Sequence, residues 1–336
     1  MLKISGLIKS YKNFSVLKGL NMCVEKGDIY GFLGTNGCGK TTTMNVICNI
    51  IQKDSGDISF ESDNIKVGYL PESPALFGYM SGFEYLDFIG ACCEFDGSIN
   101  ERTAEVLQLT GMYHNAQRYI KGYSRGMIQR IGIAAALYAN PDLLILDEPT
   151  SALDPEGRAE VMEIINSLAS SGSTIILCTH ILTDVERVAN KVGILRDGVM
   201  AVEGSLTDVR QMFGAENAVT VRCQDVNKTA MVLQEIDVIE RADIEYYGDV
   251  TAHAKTGVSD ADLFYKTVTT LASRQIVPDG VWFKRLSLEQ IYLGINSGSL
   301  LPFSQTWGSV TQFDATPKTS VSPQAGEHQQ SEEEPK

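Results

Sequence analysis

Gly34-Thr35-Asn36-Gly37-Cys38-Gly39-Lys40-Thr41-Thr42 has the form G-x-x-x-x-G-K-T, the spacing of a loop that wraps a phosphate chain. The run before it, Asp28-Ile29-Tyr30-Gly31-Phe32-Leu33, is mostly apolar and strand-like. The run after it, Met44-Asn45-Val46-Ile47-Cys48-Asn49-Ile50, continues as a helix. Strand, glycine loop and helix in that order is the geometry phosphate binding needs. Glycines let the backbone turn its N–H groups inward, and the helix N-terminus adds free donors and a partial positive charge. Lys40 is then expected to neutralise the outer phosphates and the Thr41 hydroxyl to bind Mg²⁺. Cys38 sits at the helix start, where thiol pKa values tend to fall. Redox control is one reading of it; a small residue at a permissive position is the preferred one.

The second informative stretch is Pro141-Asp142-Leu143-Leu144-Ile145-Leu146-Asp147-Glu148. An unbroken apolar run of this length makes a strand buried on both faces, as in a parallel sheet. It ends in two carboxylates. Asp147, beside the glycine loop, is placed to hold Mg²⁺, and Glu148 to orient or deprotonate a water at the terminal phosphate. Thr174-Ile175-Ile176-Leu177-Cys178-Thr179 is another buried strand, with His180 at its end. Ligands of open α/β sheets sit at the carboxyl ends of strands, so His180 reads as a sensor of the terminal phosphate. Ser124 caps a helix expected to run to about Leu137. Such a start also offers an anion site through the hydroxyl and the Gly126 N–H, although on position alone a plain cap is preferred. Tyr11, upstream of the loop, is placed either to stack on a purine or to pack locally, position alone favouring the second.

The bulk properties set limits. The 336 residues suggest about two domains. A net charge of −14 argues against a nucleic-acid partner, which calls for a basic patch. The 7 cysteines contain no C-x-x-C pair, which fits a reducing, intracellular compartment. No secretory signal and no apolar run of the ~20 residues a membrane helix needs is found. Further strands are expected at 56–60 and 65–70, helices at 82–94 and 100–109, and a helix from Pro155 to about Ser170. A hairpin is expected about Asp197-Gly198, and a Ser205-capped helix at 206–213.

In this order and spacing the residues resemble the ATP-hydrolysing subunit of ABC transporters, over roughly residues 1–214. The carriers are the phosphate loop, Ser124–Arg130 in the place of the LSGGQ signature, Asp147-Glu148, the turn Ser151-Ala152-Leu153-Asp154, and His180. The resemblance implies an α/β fold: a P-loop NTPase cassette with a mixed sheet, a RecA-like core and a helical subdomain. It implies ATP as substrate and Mg²⁺ as its companion ion. Nucleotide contacts are then expected from Tyr11, Gly34, Thr35, Asn36, Gly37, Cys38, Gly39, Lys40, Thr41, Thr42 and Asp154. Ser124 and Gly126 are expected to touch ATP held by a partner subunit. Catalysis is expected of Glu148 as base, with His180 and Lys40. Metal binding is expected of Thr41, Asp147 and Glu72, which stands where the family usually carries glutamine. Two cassettes, this chain with itself or with a paralogous one, would face head to tail, close on ATP and drive separate multi-span permease subunits. That places the chain on the cytoplasmic face of the cell membrane, held there through the permease.

Two features depart from the family pattern: Tyr123-Ser124-Arg125-Gly126-Met127 for the signature, and Glu72. Both resemble the exporter branch that handles drugs, antibiotic peptides and polysaccharides. The alternative is a soluble ABC-type ATPase with a non-transport regulatory role. Types that act on DNA or ribosomes carry coiled-coil insertions or a second cassette, neither of which is present.

Residues 215–295 read strand, helix, strand, strand, helix, strand, the order of a small α+β ferredoxin-like domain, with strands at 218–226, 241–247, 250–254 and 281–285 and helices at 228–235 and 260–273. Leu286–Tyr292 resembles a closing helix of the same exporter branch. Residues 296–336 shift to Ser, Pro, Gln, Thr and Glu and are expected to be disordered.

Overall fold

The computed structural model describes residues 1–298 except 13, 94, 214–217, 246–247, 256 and 285. The centre is a six-stranded sheet in the order β5-β6-β7-β3-β8-β9. Its strands are β3 (Ile29–Gly34), β5 (Val67–Leu70), β6 (Leu143–Asp147), β7 (Thr174–Thr179), β8 (Lys191–Arg196) and β9 (Val199–Ser205). All pairs are parallel except the β8–β9 hairpin. Every residue of β3, β6 and β7 is buried, the consequence of apolar runs covered on both faces. Register aligns their carboxyl ends: Leu33 pairs with Thr179, Gly34 with Leu195, Asp147 with Cys178 and Leu70 with Leu146.

One face of this sheet is covered by an antiparallel sheet in the order β2-β1-β4, from β1 (Leu2–Tyr11), β2 (Phe14–Val24) and β4 (Ser55–Phe60). Leu2, Ile4, Leu20 and Met22 share a core with Tyr30, Phe32, Ile145 and Ile176. Helix α1 (Lys40–Ile47) adds Met44, Val46 and Ile47 to this same core. A larger core joins the sheet to the helices α2 (Gly82–Cys92), α3 (Ile99–Leu109), α4 (Arg125–Leu137), α5 (Pro155–Ser170), α6 (Leu182–Val188) and α7 (Leu206–Met212). Side-chain caps set several starts: Ser81 and Glu84 form a capping box on α2, Ser124 caps α4 and Asp154 caps α5. The expected α/β cassette, mixed sheet included, is what the chain forms.

Further along lie β10 (Ala218–Arg222), α8 (Val226–Gln234), β11 (Ile239–Ile244), β12 (Asp249–Ala254), α9 (Asp260–Ser273) and β13 (Gly280–Lys284). The strands pair antiparallel in the order β11-β12-β10-β13 around a separate small core. β10 stops at Arg222, short of the expected 226, because Asp225 caps α8 by accepting the Lys228 N–H at 3.0 Å. The last helix, α10 (Leu288–Ser297), leaves that core and buries Leu288, Ile291 and Ile295 in the large core of the cassette. It runs through Asn296 and Ser297 and ends at Gly298, φ 73°, so the expected tail begins later than 296. The remainder of that tail, with Trp307 and Phe313, lies outside the described residues. So does the 214/215 boundary expected between cassette and C-terminal part.

Candidate functional site

The loop between β3 and α1 needs its glycines. Gly37 and Gly39 have φ of 80° and 116°, a region that favours glycine. A Cβ on Gly39 would meet Leu17 Cδ2 at 2.7 Å. Gly39 is the N-cap of α1 and no side chain caps this helix, so its first-turn amides are free to serve an anion. Lys40 Nζ donates to the Gly34 carbonyl at 2.8 Å and stands 3.8 Å from Glu148 Oε1.

The carboxylates at the end of β6 differ in their surroundings. Asp147 is fully buried, and neither oxygen has a hydrogen-bond partner among the described residues. Burial pushes its carboxyl above the usual range, and the charges of Glu148 and Glu72 add to the rise. The Thr41 hydroxyl lies near enough to oppose the rise, as does Lys40, without completing a hydrogen bond to it. Glu148 sits at φ 50° with its N–H on the Cys178 carbonyl at 2.8 Å. Such a backbone costs free energy outside glycine and is held by the strands around it. Its carboxylate accepts from Thr179 Oγ1 at 3.2 Å and lies 2.9 Å from His180 Nδ1.

Lys40, Glu148 and His180 line one cleft of about 470 Å³, bounded also by Val16, Asn36, Gly37, Gly39, Thr41, Thr42, Glu72 and Ser151; Asp147 and Thr179 are not among the residues that line it. Glu72 reaches it because Leu70, at the end of β5, is level with Leu146 of β6. Val16 and Ser151 are additions the sequence reading did not single out. Ser151 belongs to the quoted turn and bonds the Glu148 carbonyl at 3.2 Å; Val16 carried no signal.

Other expected contacts lie elsewhere. Gly34, Thr35 and Cys38 belong to the loop but do not line the cleft. Cys38 is buried, and that burial raises its thiol pKa despite the opposing charge of Lys40. The fall expected at a helix start is thus reversed. Tyr11 is 47% exposed at the end of β1, with Lys9 Nζ 5.5 Å from its ring. Ser124 accepts the Met127 N–H at 3.3 Å, and Asp154 the Gly157 N–H at 3.0 Å. Gly126 and Gly157 are neighbours, so the starts of α4 and α5 meet each other, away from the cleft. A hollow of about 640 Å³ on α9 and β13, lined mainly by Phe264, Tyr265, Val268 and Phe283, offers no phosphate-binding group.

A glycine loop, a lysine, a buried acid and an acid–histidine pair are thus gathered at aligned strand ends. A family model described as ABC transporter matches residues 17–151. The linearmycin resistance ATP-binding protein LnrL of Bacillus subtilis (strain 168) is 30% identical over 317 residues, 89% of this chain and 99% of that protein. The lantibiotic transport ATP-binding protein SrtF of Streptococcus pyogenes is 37% identical over 224 residues, 65% of this chain and 93% of that one. A solved ATP-binding subunit of an ABC transporter superposes with a TM-score of 0.56 at 28% identity, covering 64% of this chain and 93% of that one. The chain therefore belongs to the ATP-binding, ATP-hydrolysing subunits of ABC transporters.

Proposed function

We propose that this chain powers export: two cassettes close on ATP, hydrolyse it, and drive a separate membrane permease carrying a cargo of the antibiotic class named in its relatives. The observation that carries the hydrolytic part is the placement of Glu148, held between His180, Thr179 and Lys40 at the mouth of the phosphate loop. In that place Glu148 takes the proton of a water as the water oxygen bonds to the terminal phosphorus and the bond to the ADP oxygen breaks. His180 keeps the carboxylate turned toward the cleft. Lys40 exchanges its carbonyl partners for phosphate oxygens.

Mg²⁺ suits the residues present. The two unpartnered oxygens of Asp147, the Thr41 hydroxyl and Glu72 at the rim are hard oxygen donors. Among the described residues no group of three His, Cys, Asp or Glu side chains is arranged to hold a metal unaided. That fits an ion which keeps phosphates and waters among its ligands. When bound, it neutralises charge on the phosphates.

The dimer is supported by Ser124 and Gly126 lying off this chain's own cleft, where they are free to complete that of a second copy. Work at the membrane is assigned to a permease partner because no helix among the described residues is long and apolar enough to cross a bilayer.

Glu148→Gln tests the reading. MgATP turnover should fall about 100- to 1,000-fold, while bound nucleotide and a nucleotide-dependent pair of cassettes persist. Wild-type turnover in this variant overturns the role of Glu148. Export is checked in cells, where the same variant should lose protection against the cargo antibiotic; unchanged protection overturns the exporter assignment.

A further inference from the structure

His180 is followed at once by α6, a helix of 7 residues with no side-chain cap at its N-terminus. A helix this short does not hold itself in water, so the position of His180 depends on what grips α6. Three contacts do. Val185 packs on Gly31 of β3 so closely that a Cβ there has no room. Asp184, 4% exposed, accepts from Thr150 Oγ1 at 2.7 Å and from Arg158 Nη2 at 2.6 Å. Thr150 belongs to the turn that leaves Glu148, so this contact ties α6 to the other half of the acid–histidine pair. The third contact comes from the far end of the chain: Glu186 Oε1 accepts the Leu288 N–H of α10 at 2.7 Å and lies 3.2 Å from Arg210 Nη2.

The Leu288 N–H is one of the amides a helix start leaves unpaired, and a carboxylate there is also favoured by the helix dipole. The capping box of Ser287 and Gln290 satisfies its neighbours and leaves this donor to Glu186. At the other end of α10 the Arg196 guanidinium donates to the Ile295 carbonyl. Arg196 ends β8, whose preceding residue, Leu195, pairs with Gly34 of the phosphate loop. Between these ends Tyr292 is half-buried. Its phenol pKa is raised by that burial, against the opposing effect of a hydrogen bond with Asn296. Thus α10 is bonded at both ends to elements that carry the hydrolytic site, and its apolar face shares their core rather than that of the small sheet.

We infer that α10 is a positioning strap: through the Leu288–Glu186 bond it fixes α6 and so holds His180 in place against Glu148. Glu186 is then a positioning residue that acts through His180, and the inference rests on the roles given above to that pair.

A double-mutant cycle on the full-length protein tests this. Glu186 is about a third exposed and lies outside the cleft, so Glu186→Ala is expected to fold, which its melting curve verifies. It should lower kcat for MgATP about tenfold while the KM stays within about twofold. Glu186→Gln, which keeps an acceptor oxygen for the Leu288 N–H, should recover most of the loss. In a His180→Ala background, Glu186→Ala should cost nothing further, because the residue it positions is already gone. Wild-type kcat in Glu186→Ala beside an impaired His180→Ala overturns the strap alone. Additive losses do the same, as does a loss confined to KM. Wild-type kcat in His180→Ala overturns the role of the pair and the strap with it.

Discussion

Strands β3, β6 and β7 are buried along their whole length, whereas β11 in the C-terminal sheet buries Ile239 alone and exposes most of the rest. The first set lies inside a layered parallel sheet; the second belongs to an antiparallel sheet with one covered face. The charges follow the same division. In the cassette, Asp147 is buried with no hydrogen-bond partner among the described residues, and Glu148 is held at a positive φ. In the C-terminal sheet, Arg222–Asp249, Lys266–Asp237 and Arg274–Glu235 are ion pairs at the surface, a kind that contributes little to stability. At the strand ends, then, stand acids whose burial or backbone costs free energy, beside the cleft where a ligand can compensate them. Where charges are spread over solvent-facing positions, they keep the surface wet and do no chemistry.

Three substitutions probe this contrast. The largest effect is expected in the small core: Leu263→Ala, at a fully buried position of α9, should cost about 2–5 kcal/mol of local stability. Hydrogen exchange should report that loss across β10–β13, while MgATP turnover stays within about twofold because α10 packs on the other core. A tenfold drop in turnover would erase the distinction between the two regions.

The next probe is Asp147→Asn in the absence of nucleotide and magnesium. The carboxyl of Asp147 has its pKa raised in the fold, chiefly by burial, so folding favours the protonated form. The stability tied to that form is complete below the unfolded pKa, about 3.9, and is lost as pH rises through the folded value. At neutral pH the asparagine variant should therefore be the more stable of the two by chemical denaturation. The gap should narrow as pH falls toward that of a free carboxylate. A gap independent of pH would show that Asp147 is not a stored electrostatic cost. The smallest effect is expected at Tyr11. Tyr11→Ala should raise the KM for ATP about fivefold, the size of one stacking contact. Equal KM values for ATP and for a triphosphate lacking a purine, in both proteins, would remove Tyr11 from the nucleotide site.

The motifs announce the loop at Gly34–Thr42, the acids that end β6 and the histidine that ends β7, because each depends on residue type at short spacing. The caps at Ser124, Ser205 and Ser259 are equally local, each hydroxyl accepting an N–H three residues on. Helix α6 is too short to show a period and has no cap to mark its start. Asp184 and Glu186 look like ordinary surface acids of such a stretch. Their partners lie 34 residues away at Thr150 and 102 residues away at Leu288. The reversal at Cys38 has the same origin: its thiol is turned under Gly34 by packing, which the loop motif does not encode.

Residue order therefore settles the chemistry available to this chain. Glycines at fixed intervals dictate a phosphate cradle, and apolar runs ending in acid or histidine dictate where reactive groups emerge. Which groups meet is another matter. The facing of Glu148 and His180, the isolation of Asp147, the separation of Ser124 from the cleft and the grip of α10 on α6 all join segments far apart in the chain. Such meetings are governed by strand register and by the shared burial of apolar faces, and these exist only once the sheet and its helices have assembled.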